Sequence, residues 1–166
     1  SRRSVGAQHA LGRRHKTPAD IDAALVGLVD RVTHRMRKGH RAGRTITLRL
    51  RFDDFTRATR STTLSRATAD THVVLTAARS LLGASMSTIT MQGLTLVGVA
   101  VSNLEDGAAL QLELPFEAPE DEHRTIDRTA LDEALDGVQR RFGSSALTRG
   151  VLLGREEQTS VPMLHE

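Results

Sequence analysis

At 166 residues the chain has room for one domain and a small appendage, and it contains no cysteine, tryptophan or tyrosine. The lack of cysteine excludes a disulfide framework and a thiolate metal site, and no membrane-spanning run or signal peptide is visible, so we expect a cytoplasmic protein with no membrane contact. The net charge of +3 is unevenly divided, because residues 1–66 hold 16 Lys and Arg against 5 Asp and Glu while residues 67–166 hold 7 against 15, which is typical of a nucleic-acid-binding half joined to an acidic half.

The first predicted elements are a short strand and a long helix. Residues Ser4–Gln8 have the pattern of an extended segment, and a polar turn through Gly12–Lys16 follows. Thr17 and Pro18 are suited to an N-cap and to the first turn of a helix. Apolar residues then recur at helical spacing until Gly39, where the helix is predicted to end.

Residues Arg44–Leu64 carry the clearest pattern in the chain. In the first half, apolar side chains alternate strictly with Thr and Arg, and an Arg-, Thr- and Ser-rich segment follows a turn. Period-2 alternation predicts a pair of strands with one buried face. The other face would offer guanidinium and hydroxyl groups with almost no carboxylate, which suits a polyanion such as a nucleic-acid backbone.

Two further elements complete the predicted domain. A helix is predicted over Thr68–Leu82 with Gly83 as its stop, and a strand rich in β-branched residues over Gly93–Asn103. The resulting order β-α-β-β-α-β predicts an α+β fold of the ferredoxin-like class. In this fold a four-stranded antiparallel sheet carries two helices on one face and leaves the other face free. An amphipathic helix ending at Gly143 would form a C-terminal helical extension.

Several kinds of chemistry are not supported by the sequence. The seven histidines show no spacing typical of a metal site, and no phosphate-binding P-loop is present. An RNA-recognition motif would need aromatic side chains on which bases stack, and the chain has almost none on the open phase of its strands. The run Leu131-Asp132-Glu133 resembles the acidic pair of a polymerase palm, but on an amphipathic helix it is interpreted as solvated charge.

Three runs of sequence together resemble a known domain. They are R-S-V-G at Arg3–Gly6, L-R-L-R-F-D-D-F-x-x-x-T-R-S-x-T-L at Leu48–Leu64, and G-L-x-L-V-G-V-x-V-S-N-L at Gly93–Leu104. In this order they resemble the little-finger domain of Y-family translesion DNA polymerases, of the DNA polymerase IV class. The resemblance covers roughly Arg3–Phe116. It implies that the catalytic palm of the polymerase, with its magnesium, lies outside this chain, so the fragment alone is expected to be inactive and without a cofactor.

The resemblance also implies the residues that contact primer–template DNA. Backbone donors are implied at Ser4, Val5 and Gly6. Side chains that face phosphates are implied on the two middle strands, with two flanking arginines: Arg49, Arg51, Thr59, Arg60, Ser61 and Thr62, flanked by Arg44 and Arg57. Uncharged residues stand in the last strand where some relatives are basic, so little contribution is expected from that strand.

A second motif follows the last predicted strand. The run Q-L-E-L-P-F at Gln111–Phe116 resembles the bacterial sliding-clamp-binding peptide. The resemblance implies that Leu114 and Phe116 enter an apolar pocket of the clamp β subunit. Gln111 would hydrogen-bond nearby, and Leu112 completes the motif. An ordinary edge strand ending at a proline is the alternative.

These patterns divide the chain into four parts. They are a little-finger DNA-binding domain over 1–110, a clamp-binding peptide over 111–116, an acidic linker over 117–124, and an amphipathic helix with a tail over 125–166.

We expect a monomer. Two other functions stay open: a free-standing ferredoxin-like protein that binds DNA or RNA without a clamp, and a small-molecule regulatory domain of the same topology. The second leaves the basic first half unexplained.

Overall fold

The computed structural model describes residues 3–107, 122–143 and 150. The domain has four strands and two helices, and a third helix follows it. In chain order these are β1 (Ser4–Ala10), α1 (Pro18–Lys38), β2 (Arg41–Phe52), β3 (Arg57–Thr68), α2 (Thr71–Gln92), β4 (Leu94–Asp106) and α3 (Glu122–Phe142).

The four strands form one antiparallel sheet in the order β1-β4-β2-β3. Strands β4 and β2 are central, and β1 and β3 are the edges. Each βαβ unit is split by one antiparallel strand: β4 lies between β1 and β2, and β2 lies between β4 and β3. The predicted α+β fold with a four-stranded antiparallel sheet is therefore confirmed, and α1 and α2 pack against the sheet and against each other.

The core lies between the sheet and the two helices. In β2 the even-numbered residues Ile46, Leu48 and Leu50 are at most 2% exposed. They stand beside fully buried valines of β4, and α1 covers them with an apolar stripe: Leu25, Leu28, Val29, Val32 and Met36. The alternation predicted for β2 is thus observed, and its odd-numbered residues face away from the helices.

Helix α1 begins where the sequence predicts because its N-terminus is fully capped. The Thr17 hydroxyl accepts a hydrogen bond from the Asp20 amide at 3.2 Å, and the Asp20 carboxylate accepts one from the Thr17 amide at 3.0 Å. Pro18 occupies the first turn, where no backbone donor is needed. The helix ends at Gly39, also as predicted.

Helix α2 is longer than predicted. Gly83 lies inside it, is exposed, and has open space where a Cβ would stand, and the helix continues to Gln92. A glycine in a helix interior costs about 1 kcal/mol relative to alanine. Burial of Leu82 and Ile89 on either side of Gly83 outweighs that cost. The helix stops instead at Gly93, whose φ of +71° suits glycine.

Helix α2 is also apolar. Within the part of the chain that the structure describes, it is the one helix long and apolar enough to span a membrane. Its buried residues, Val74, Leu75, Ala78, Leu82 and Ile89, belong to the core cluster shared with α1 and the sheet. The apolar composition of α2 is therefore explained by its packing in the core.

Helix α3 is attached to the domain by two carboxylates. It begins at Glu122, which lies inside the predicted linker over 117–124 and upstream of the predicted apolar stripe. The Asp136 carboxylate accepts a hydrogen bond from Arg37 Nε at 2.6 Å and lies 2.8 Å from His34 Nδ1, both on α1. The Asp132 carboxylate accepts a hydrogen bond from the backbone amide of Thr71 at 3.2 Å, at the N-terminus of α2. We call these five residues the α3 cluster.

The two carboxylates of the α3 cluster are buried. Asp132 and Asp136 are each 6% exposed. Burial raises the pKa of Asp136, but hydrogen bonds from Arg37 and His34 outweigh it, and the pKa lies below its ordinary value. The interpretation of Asp132 as solvated charge is therefore wrong: this carboxylate faces the domain, where a backbone donor of α2 satisfies it.

The predicted apolar stripe of α3 does not make this attachment. Leu131 is 53% exposed and Phe142 is 66% exposed, while Leu135 and Val138 are half-buried. Helix α3 is thus held through the side of the helix that carries its buried carboxylates.

Candidate nucleic-acid interface

The face of the sheet opposite the helices is built from alternate residues of all four strands, and we call it the open face. Strand register arranges these residues in four rows across the sheet. In the order β1, β4, β2, β3 the rows are Ala10, Leu96, Arg51 and Arg57; Gln8, Gly98, Arg49 and Thr59; Gly6, Ala100, Thr47 and Ser61; and Ser4, Ser102, Thr45 and Thr63. None of these positions is Asp or Glu. The charged side chains in these four rows are therefore all cationic, and the other residues are neutral.

Hydroxyl groups on the open face are held in pairs across β2 and β3. The hydroxyls of Thr47 and Ser61 lie 2.9 Å apart, and those of Thr45 and Thr63 lie 3.0 Å apart. The side-chain amide of Asn103 donates a hydrogen bond to the Thr45 hydroxyl at 2.8 Å. Such cross-strand pairs fix the hydroxyls at the surface, where they can also bond to an acceptor such as a phosphate oxygen.

Two arginines stand directly opposite each other at one end of the open face. Arg51 and Arg57 are register partners on β2 and β3. Arg51 donates from Nε to the Thr95 hydroxyl at 3.3 Å, and Arg57 is exposed. Like charges directly opposite in a sheet are destabilising. A phosphate between the two guanidinium groups would convert this repulsion into charge-assisted hydrogen bonds.

The other two predicted arginines of β2 differ in their surroundings. Arg49 is exposed and lies in the next row, opposite Thr59. Arg44 is half-buried, and its guanidinium donates to the carbonyls of Leu64 at 3.3 Å and Ser65 at 3.1 Å. Arg49 is therefore presented by the open face, whereas the Arg44 guanidinium lies against the backbone of β3.

The register of β3 divides the predicted residues between two faces. Thr59 and Ser61 lie on the open face, but Arg60 and Thr62 pair with the core residues Leu48 and Ile46. The sequence-based expectation placed all four against phosphates. Adjacent residues of a strand point to opposite faces, so Arg60 and Thr62 lie on the helix side, with Arg60 exposed at the sheet edge.

The predicted backbone donors lie on β1, an edge strand. Ser4 and Gly6 belong to the open face, while the Val5 side chain packs against the core. The Gly6 carbonyl accepts a hydrogen bond from Arg35 Nη1 at 3.3 Å. Because the N–H and C=O of one strand residue point the same way, the Gly6 amide also faces away from β4, whereas the amide of the adjacent Val5 faces β4.

The remaining predicted residues fall elsewhere. Gln111, Leu112, Leu114 and Phe116 lie outside the described residues. Thr45, Thr47 and Thr63 were missed in the prediction, although the alternation of β2 already assigned Thr45 and Thr47 to the open phase. Among residues 3–107, 122–143 and 150, no group of three His, Asp or Glu side chains could hold a metal ion.

Known proteins are similar to this chain in sequence and in fold. The family model described as the impB/mucB/samB family C-terminal domain matches residues 2–114. DNA polymerase IV 2 of Mesorhizobium japonicum is 35% identical over 165 residues, which are 96% of this chain and 40% of that protein. DNA polymerase IV of Desulfatibacillum aliphaticivorans is 32% identical over 152 residues, or 91% of this chain and 37% of that protein.

A solved structure supports the fold. The crystal structure of a DinB-family error-prone DNA polymerase from Sulfolobus solfataricus aligns with a TM-score of 0.52 at 13% sequence identity. The alignment covers 60% of this chain and 28% of that chain. The chain spans 28% to 40% of the length of the curated relatives it matches.

Proposed function

The chain belongs to the impB/mucB/samB C-terminal domain family, the little-finger domains of Y-family DNA polymerases, and on this premise we propose that its open face binds the backbone of primer–template DNA. One observation carries the proposal: the four rows of the open face hold guanidinium and hydroxyl groups and no carboxylate. Contacts of this kind hold phosphates without reading base sequence. The proposed ligand is therefore duplex DNA of any sequence.

We further propose that the chain serves as the DNA-binding part of a translesion DNA-directed DNA polymerase. Its relatives are named DNA polymerase IV, and the chain spans 28% to 40% of their length. Magnesium would be held by the catalytic part of such an enzyme. A domain that holds only the backbone tolerates a distorted or damaged template, because no base contact is lost.

A second proposed contact is with the sliding clamp, through Gln111, Leu112, Leu114 and Phe116. The support is the motif itself and its position shortly after β4, which ends at Asp106. Backbone contacts alone give a weak and salt-sensitive hold on DNA. A clamp that encircles DNA would offset this weakness by raising the effective concentration of the domain at the primer end.

Two single arginine variants test which face of the sheet meets DNA. We expect Arg49→Ala to weaken binding to a labelled primer–template duplex by about tenfold, because one charge-assisted phosphate contact is lost. Arg60→Ala, which removes the same side chain from the helix side of the neighbouring strand, should change affinity by less than about twofold. Fluorescence anisotropy at fixed NaCl measures both.

Two outcomes would count against the proposed face. Equal losses for Arg49→Ala and Arg60→Ala would show that DNA wraps around the β3 edge. A loss confined to Arg60→Ala would move the DNA to the helix side of the sheet. The thermal unfolding midpoint of each variant serves as the control for folding, since both residues are exposed and little change is expected.

A further inference from the structure

Phe55 occupies a costly position in the turn between β2 and β3. Its φ is +68°, a left-handed backbone conformation that bulky residues seldom adopt. Phe55 is also 65% exposed, so burial of its side chain does not offset the backbone strain. Glycine or asparagine would be the expected residue at such a turn position. Neither backbone preference nor packing in the core explains a phenylalanine here.

The ring of Phe55 has one specific neighbour. The guanidinium carbon of Arg13 lies 5.3 Å from the ring centroid, within cation–π distance. Arg13 belongs to the loop between β1 and α1, and this loop is fixed on both sides of it. The Leu11 amide donates to the Thr95 carbonyl at 2.7 Å, and Lys16 Nζ donates to the Leu94 carbonyl at 2.8 Å. Arg13 is therefore an exposed cation on an anchored loop.

This contact places Arg13 at a particular end of the sheet. The turn that holds Phe55 joins the ends of β2 and β3, where Arg51 and Arg57 form the last row of the open face. The loop that holds Arg13 follows Ala10, the β1 member of the same row. Three guanidinium groups thus belong to one end of the sheet.

The two acids of the turn have partners of their own. The Asp54 carboxylate accepts hydrogen bonds from the Thr56 amide at 3.0 Å and from the Thr56 hydroxyl at 2.6 Å. The Asp53 carboxylate lies close to Gly93, just before β4, and its charge acts on Lys16, where it opposes the lowering of the lysine pKa by burial. Arg13 stacks on an uncharged ring, which leaves its full charge available to an anion.

We propose that Phe55 is a positioning residue that holds Arg13 as a phosphate contact, extending the DNA-binding surface beyond the Arg51 and Arg57 row. This inference rests on the proposed function, since its ligand is the backbone of duplex DNA. A guanidinium already fixed by stacking loses less rotamer freedom when it binds a phosphate. The strained backbone at Phe55 is the structural cost of that positioning.

The test compares four forms of the full chain: Arg13→Ala, Phe55→Gly, the double variant and Phe55→Tyr. Binding to a labelled primer–template duplex is measured across a series of NaCl concentrations. We expect Arg13→Ala to weaken binding about fivefold and to reduce the salt slope by about one. Phe55→Gly should weaken it about threefold, and the double variant no more than Arg13→Ala alone, because both changes remove the same contact. Phe55→Tyr keeps a cation–π partner and should retain affinity.

A thermal unfolding measurement separates positioning from folding. Glycine adopts a φ of +68° without strain, so Phe55→Gly should keep or raise the unfolding midpoint while DNA affinity falls. Unchanged affinity in Phe55→Gly, or losses that add in the double variant, would overturn the proposal. If the unmodified chain binds DNA and Arg49→Ala weakens it while Arg13→Ala does not, only this inference fails. If the unmodified chain shows no salt-dependent binding, the proposed function itself fails.

Discussion

Replacing Arg37 by alanine is expected to release α3 from the domain. Arg37 donates to Asp136 at 2.6 and 3.1 Å and lies 3.6 Å from Asp132, so its loss leaves two carboxylates in a buried site without their cation. Removing one member of a buried ion pair costs about 3–5 kcal/mol, and the lower end applies because the Arg37 side chain is 20% exposed. Roughly a hundredfold shift of the docking equilibrium follows.

Hydrogen exchange measures this release directly. In Arg37→Ala the amides of α3 should exchange far faster, while those of β2 and β4 remain protected because the core is intact. Arg79→Ala is the matched control, since it removes an exposed arginine that pairs with Asp22 at 2.8 Å and should leave α3 protected. Unchanged protection of α3 in Arg37→Ala would show that the α3 cluster does not hold the helix.

Acid should release α3 in the unmodified chain as well. The pKa of Asp136 is lowered below its ordinary value of 3.8, because hydrogen bonds from Arg37 and His34 outweigh the effect of burial. A carboxyl group with a lowered pKa in the folded state contributes stability above its unfolded pKa and loses it as the pH falls through the folded value. Docking of α3 should therefore be intact near neutrality and weaken below about pH 4.

The largest effect on partner binding is expected from the clamp motif. The double variant Leu114→Ala with Phe116→Ala removes both apolar anchors of the proposed clamp-binding peptide. Buried anchor residues of an interface each contribute about 2 kcal/mol or more, so affinity for a bacterial sliding clamp should fall at least a hundredfold. Surface plasmon resonance with immobilised clamp measures the loss, and DNA affinity of the variant should be unchanged.

Glu113→Ala is the matched control within the same run. Glu113 stands directly before Leu114 in sequence and is not one of the motif positions, so clamp affinity should stay within about threefold. Clamp binding that survives loss of both anchors would move the contact elsewhere on the chain. If the unmodified chain does not bind the clamp, Gln111–Phe116 is not a clamp-binding peptide, and only the proposed DNA binding remains.

The fold was predictable wherever the pattern of apolar residues had a clear period. In β2 the alternation of Ile46, Leu48 and Leu50 assigned both faces correctly. Strand β3 has only a few small or scattered apolar residues, so its phase could not be set from sequence. Pairing with β2 sets that phase, and this is why Arg60 and Thr62 fall on the helix side. Likewise, Gly83 resembles a helix stop locally, but tertiary packing carries α2 past it.

The attachment of α3 could not be predicted because its partners are distant in sequence. Asp132 and Asp136 have the spacing of solvated helix charges, and the groups that satisfy them, Arg37 and Thr71, come from α1 and α2. The apolar stripe of α3 was the visible signal, and it is partly exposed. The contact between Arg13 and Phe55 likewise joins a loop and a turn that no periodicity connects.

Binding of the DNA backbone to the open face predicts that duplex binding by the unmodified chain depends steeply on salt concentration. Each phosphate contact contributes about −0.9 to the slope of log affinity against log NaCl concentration. With Arg49, Arg51 and Arg57 engaged, we expect a slope of about −3 or steeper, independent of duplex sequence. A slope near zero, or affinity that depends strongly on duplex sequence, would show that the open face does not bind the DNA backbone in this way.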